Sequence, residues 1–228
     1  MNIVITGCSR GIGLEMVKLF SQQHNVYCLS RNIIPIEEYK SEIGDPKRIN
    51  CLEFDFEDFK KEQLNSFLNV DGGIDILINN AGYLSNESFE QMPENKLRKI
   101  YEVNIIGPFR LMQNIIPLLN KKNAHIVNIG SMGGVQGSVK FPGLSAYSSS
   151  KGAMTILTEC LAEEFKDSNI KFNCLALGAV QTEMLKEAFP DYEAPVSAKE
   201  MAQYICDFSL NGGRFINGKV ISVSSSTP

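Results

Sequence analysis

Apolar positions along this chain fall into two alternating patterns. Short runs rich in Val, Ile and Leu recur near Asn2–Thr6, Asn25–Ser30, Asn50–Asp55, Ile74–Asn79, His125–Ile129, Lys171–Ala176 and Val220–Val223. They are continuous rather than alternating, as expected of strands buried on both faces of a sheet. Between them lie longer amphipathic segments, near Ile12–Gln23, Phe59–Leu68, Asn95–Leu119, Tyr147–Phe165 and Ala198–Phe208, which predict helices. Strand–helix alternation with right-handed crossovers predicts a doubly wound α/β fold around a mostly parallel sheet of these seven strands. No long Pro/Ser/Gly linker, internal repeat or low-complexity tract interrupts the pattern, so one domain is expected over residues 1–228.

Composition narrows the function classes. A hydrophobic content of 43% suits a sizeable core, and a formal charge of -4 gives no general attraction to nucleic acid or to an anionic membrane. The expected partner is therefore a small molecule. Six cysteines are scattered through apolar segments without a C-x-x-C pair, which fits buried thiols better than a disulfide framework or a zinc site. The opening run "MNIVITG" is too short for a signal peptide or a membrane span. Together these make a cytoplasmic location the expectation. With only His24 and His125 present, neither a His-based triad nor a His-ligated metal is expected.

One loop points to a nucleotide. In "VITGCSRGIGLEMV", Gly7, Gly11 and Gly13 lie between the first predicted strand and the first helix. Glycines there permit a tight turn and a close approach of backbone to phosphate, and the N–H groups of the helix start face the anion. The spacing is G-x-x-x-G-x-G rather than the commoner G-x-G-x-x-G, and such a loop alone also serves as a plain strand-to-helix turn. The second strand ends in Ser30 and Arg31, where an acidic residue would bind the ribose 2′-hydroxyl of NAD. With Arg10 in the glycine loop, two guanidinium groups are available for a 2′-phosphate, which favours NADP(H) over NAD(H). The alternative for either arginine is a solvated surface position.

A second stretch carries candidate chemistry. "SAYSSSKGAMTILTECLAEEF" places Tyr147 and Lys151 four residues apart, on one face of a predicted helix. A free phenol titrates near pH 10, so a nearby ammonium that stabilises the phenolate would turn Tyr147 into a usable acid and base. Taken singly, Tyr147 also reads as a helix-face aromatic, Ser131 as a strand-end turn residue and Asn104 as a helix-surface amide. Ser145, Ser148, Ser149 and Ser150 read as helix-start and packing residues.

The order of motifs resembles the short-chain dehydrogenases/reductases over nearly the whole chain. It comprises "TGCSRGIG", "NNAG" (Asn79 to Gly82), Val103-Asn104, Gly130-Ser131 and Tyr147-x-x-x-Lys151. The resemblance implies a Rossmann-like domain and an oxidoreductase that moves hydride between nicotinamide and a carbonyl or secondary alcohol. It implies Asn104, Ser131, Tyr147 and Lys151 as the catalytic set, with Tyr147 as general acid/base and Asn104 holding a water that passes protons to Lys151. By position it also implies cofactor contacts from Gly7, Ser9, Arg10, Gly11, Ile12, Gly13, Ser30, Arg31, Asp55, Asn80, Ala81, Gly82, Gly178, Val180 and Thr182, as well as from Tyr147 and Lys151. Pairing of the two long helices would make a homodimer or homotetramer.

The chain also departs from the family pattern. Leu177-Gly178 stands where Pro-Gly is usual, the segment from Ser131 to Tyr147 is long and glycine-rich, and the stretch from Glu183 to Pro195 is short. Two other functions remain in view: a 3-oxoacyl thioester reductase acting on an acidic carrier protein, and a non-catalytic NADP-binding sensor.

Overall fold

The computed structural model describes residues 1–43, 46–58 and 60–224. Seven strands, β1 (Asn2–Thr6), β2 (Asn25–Ser30), β3 (Ile49–Glu53), β4 (Ile76–Asn79), β5 (Ala124–Ser131), β6 (Ile170–Leu177) and β7 (Lys219–Val223), form one sheet in the order β3-β2-β1-β4-β5-β6-β7. Every pairing is parallel, so the carboxyl ends of the strands all lie along one edge. The chain reverses its direction of build between β1 and β4, and ligands of such sheets bind outside the carboxyl ends at that switch point.

Among the described residues eight α-helices flank the sheet: α1 (Gly11–Phe20), α2 (Ile34–Glu42), α3 (Lys61–Phe67), α4 (Glu94–Tyr101), α5 (Gly107–Ile115), α6 (Ser145–Glu164), α7 (Glu183–Ala188) and α8 (Ala198–Asn211). Alternate residues of a strand point to opposite faces. Thus Ile3 and Ile5 of β1 pack with Met16, Val17, Met201 and Ile205 of α1 and α8, whereas Val4 packs with Leu64, Leu111 and Met112 of α3 and α5. These two apolar layers hold the sheet. No helix among the described residues is long and apolar enough to cross a membrane.

Several boundaries differ from the sequence expectation. The predicted helix Asn95–Leu119 is broken: α4 ends at Tyr101, a π-helical turn spans Glu102–Ile106, and α5 resumes at Gly107. Pro108 has no N–H to donate one turn back, so the ladder widens just before it. α2 and α7 are additional elements; α2 buries only Ile36 and so lacks a readable apolar face. β3 ends at Glu53, which leaves Asp55 in the loop, and Ile74 makes only an isolated bridge to Leu119. The predicted helix starting at Phe59 is observed from Lys61; Phe59 itself lies outside the described residues.

Candidate active site

The glycine loop leaves β1 at the sheet edge and opens α1. Gly7 has φ 71°, and a Cβ there would stand 2.7 Å from the Cα of Ala81. A Cβ on Gly13 would run into the Gly7 carbonyl, so both positions require glycine for close backbone approach. The loop is tied to the end of β4 through the buried Thr6. Its hydroxyl accepts from the N–H groups of Asn80 and Ala81, both at 3.0 Å. Asn80 Nδ2 donates in turn to the carbonyls of Thr6 and Gly7, each at 3.0 Å. Thr6 was not singled out by sequence, since a threonine ending a strand carries no distinctive signal.

A cavity of about 660 Å³ runs along the carboxyl ends of the strands. Gly7, Ser9, Arg10, Gly11, Ile12 and Gly13 line its middle, with Ser30, Arg31 and Asp55 beside them. Asn80, Ala81 and Gly82 line it as well, as do Ser131, Tyr147, Lys151, Gly178, Val180 and Thr182. Of the predicted site residues, only Asn104 is absent from this lining. It is 1% exposed and sits behind Gly82 on the π-helical turn.

The reacting end is built by β5 and α6. Ser131 closes β5, and its hydroxyl accepts from the Gly133 N–H at 3.2 Å, which starts the turn Met132–Gly134. Gly134 presses against the backbone of Lys151 and Gly152, so the glycine-rich segment packs closely on α6. α6 is anchored by a buried polar chain. Asn79 Nδ2 donates to Asn128 Oδ1 at 2.7 Å, and Asn128 Nδ2 donates to Thr158 Oγ1 at 2.9 Å. These bonds tie α6 to β4 and β5, while Asn79 Oδ1 is buried without a hydrogen-bond partner among the described residues.

Lys151 is 5% exposed, yet among the described residues its Nζ has a single acceptor, the Ile129 carbonyl at 2.8 Å. Burial pushes its pKa down to about 8. The ammonium lies 5.9 Å from the centre of the Tyr147 ring. Burial raises the Tyr147 phenol above its ordinary value, and the neighbouring Ser131 hydroxyl opposes that rise. Desolvation is the largest influence on both groups, lowering the lysine and raising the phenol, in place of the lowering of the phenol by the lysine expected from spacing.

Asn104 is fully engaged with its neighbours. Its Oδ1 accepts from the Tyr83 N–H at 2.8 Å, and its Nδ2 donates to the Tyr83 carbonyl at 2.9 Å and to Ser150 Oγ at 3.0 Å. Ser150 Oγ donates onward to the Tyr147 carbonyl at 2.7 Å, so this serine links Asn104 to the tyrosine's own turn of helix. Gly82 leaves a gap beside them: a Cβ there would stand 3.6 Å from both Asn104 Oδ1 and Lys151 Nζ.

The remaining predicted positions are placed as follows. Ser30 is buried at the end of β2, and Arg31 is exposed at the cavity rim. Asp55 Oδ1 accepts from the Glu57 N–H at 3.0 Å, a turn contact rather than a helix cap. Thr182 caps α7 by accepting from the Leu185 N–H at 3.2 Å. Leu177 ends β6 in register with Ser131 and Val223, so the strand continues where a proline could not donate to the ladder. Arg10 pairs with Glu187 of α7, with Nη1 to Oε1 at 2.6 Å.

The short chain dehydrogenase family model matches residues 1–193. The chain belongs to that family. A 3-oxoacyl-[acyl-carrier-protein] reductase of Chlamydia trachomatis is 26% identical over 236 residues, covering 96% of this chain and 94% of the relative. The solved structure of ElxO with NADP bound is 27% identical with a TM-score of 0.84, covering 97% of this chain and 96% of that one. The structure of 4-hydroxyisoleucine dehydrogenase complexed with NADH is 25% identical with a TM-score of 0.86, covering 99% and 97%. The side-chain-free cradle at Gly7 and Gly13, continuous with the cavity that reaches Tyr147, fits the extended dinucleotide of a short-chain dehydrogenase.

Proposed function

We propose that this short-chain dehydrogenase interconverts a small, neutral carbonyl compound and its alcohol with NADP(H). The observation that carries the reading is that Ser131, Tyr147 and Lys151 line the same cavity as the glycine loop. The glycine loop with Arg10 and Arg31 would hold the phosphate end, and Asn80 to Gly82, Lys151 and Thr182 the nicotinamide end. When bound, the nicotinamide supplies the hydride in reduction and accepts it in oxidation. Ser131 donates a hydrogen bond to the carbonyl oxygen and fixes its position. Tyr147 gives its phenolic proton to that oxygen as it becomes an alkoxide. Lys151, when protonated, stabilises the phenolate left behind. Asn104 Oδ1 and Lys151 Nζ both lie 3.6 Å from where a Cβ on Gly82 would stand, and a water held by Asn104 would return the proton to the lysine and thence to Tyr147.

The walls of the substrate end support a neutral, apolar substrate. Leu84, Met132, Leu144 and Met184 line it, and Phe141 meets Phe189 edge-on across it, with ring centres 6.4 Å apart. The similarity to the chlamydial reductase favours a second reading, reduction of a carrier-bound 3-oxoacyl thioester. An acidic carrier would need basic side chains at the mouth. Lys140, the lysine of the glycine-rich segment, instead turns its ammonium into its own loop, onto the carbonyls of Val135 at 2.7 Å and Ser138 at 3.1 Å. The test is a panel of ketones, aldehydes and 3-oxoacyl thioesters with NADPH consumption as readout. Turnover of apolar ketones supports the first reading, turnover of thioesters alone the second, and no turnover of any a binding role.

For the cofactor, Arg31→Asp is expected to reverse the order of affinity, from NADPH over NADH to the opposite. A charge-assisted contact contributes about 1.5–3 kcal/mol, so the wild-type preference is expected to be about tenfold or more in fluorescence titration. Equal affinities of the wild type for the two cofactors would remove the NADP(H) assignment.

For association, Ile106 and Phe109 on the π-turn and α5, and Ile156 on α6, are 46%, 42% and 59% exposed. Apolar side chains exposed on these two helices support pairing of two copies through them. Light scattering after size exclusion is expected to give a dimer or tetramer at micromolar protein; a monomer would overturn this part of the proposal.

A further inference from the structure

The short helix α7 brings two carboxylates against the phosphate end of the cavity. Glu187 grips Arg10 with both oxygens, Nη1 to Oε1 at 2.6 Å and Nη2 to Oε2 at 3.4 Å. Glu183, one turn earlier, lies over Gly11, where a Cβ would meet its Oε2 at 3.3 Å. The pair therefore straps the segment after β6 across the glycine loop. Both partners are open to solvent, at 49% and 64% side-chain exposure, so the strap is weak and can be exchanged. A carboxylate and a phosphate ester present the same fork of oxygens to a guanidinium. Arg10, Ser30 and Arg31 all line the cavity, and the Arg10 donors given to Glu187 are not available to a phosphate at the same time.

We propose that Glu187 is a specificity-determining residue: it competes with the cofactor's 2′-phosphate for Arg10, so that loading of a 2′-phosphorylated dinucleotide frees α7 from the glycine loop. This rests on the NADP(H) reading above. Glu187 then weakens binding of 2′-phosphorylated cofactors selectively, and α7 responds to which cofactor is present. Cofactors without the phosphate leave the strap closed.

The test uses two probes that lack nicotinamide, 2′,5′-ADP and 5′-AMP, titrated calorimetrically into the wild type, Glu187→Gln, Arg10→Gln and the double variant. Glu187→Gln is expected to tighten 2′,5′-ADP about two- to fivefold, the worth of one exposed ion pair, with 5′-AMP unchanged. In the Arg10→Gln background the gain is expected to vanish. An unchanged 2′,5′-ADP affinity, an equal gain for 5′-AMP, or a gain that survives Arg10→Gln would each overturn the proposal. Failure of the NADP(H) reading looks different: the wild type would bind the two probes equally. If Glu187→Gln then acquired a preference for 2′,5′-ADP, competition for Arg10 would stand; if it did not, both ideas would fall.

Discussion

Tyr147→Phe is expected to lower turnover by about 10²–10⁴-fold while leaving the fold and NADPH binding intact. The substitution removes one oxygen and keeps the ring, so the start of α6 retains its packing. The hydrogen bond from Ser150 Oγ to the residue 147 carbonyl is a backbone contact and survives. What is lost is the phenolic proton that the proposed reaction delivers to a carbonyl held by Ser131. The neighbouring Lys151 is not an adequate replacement, because its Nζ is turned to the Ile129 carbonyl. The measurement is single-turnover reduction of an accepted ketone, with NADPH fluorescence titration as the control for folding and binding. A variant that reduces the ketone at the wild-type rate would remove Tyr147 from the chemistry and end the proposed mechanism.

The parts of this site that were legible in sequence are those fixed by local steric or chemical demands. Gly7 and Gly13 announce themselves because no other residue fits so close to Ala81 and to the loop's own carbonyl. Tyr147 and Lys151 do so because a helical spacing of four puts them on one face. The seven strands were readable because burial on both faces leaves continuous apolar runs. Less legible were features that depend on who sits opposite. Thr6, Asn128 and Thr158 are ordinary polar residues until tertiary structure pairs them with Asn79 to Ala81 and with α6. The π-helical turn under Asn104 was masked by an apolar periodicity that runs through it, although Gly107-Pro108 marks its end. Arg10 lines the cavity, but its pairing with Glu187, 177 positions away, leaves no trace in spacing.

Lys151→Met is expected to slow reduction by about 10²-fold or more, and its pH profile carries the decisive information. Burial holds the wild-type lysine at about 8, so its ammonium is present below that pH and lost above it. The reduction as proposed needs both the phenolic proton and a cation to stabilise the phenolate. The wild-type rate is therefore expected to be level on the acid side and to fall as pH rises through about 8. Tyr147 titrates above its ordinary range because it too is desolvated. With methionine at position 151 the remaining slow reaction depends on the phenol alone, and its loss of rate moves upward, above the ordinary phenol range. A merely structural lysine would lower the rate without moving the profile. A Lys151→Met enzyme whose rate still falls through pH 8 would show that another group titrates there, and the lysine would keep no role in the proton transfer. NADPH binding, followed separately, is expected to weaken in the same variant, because the ammonium faces the cavity between Tyr147 and Gly82.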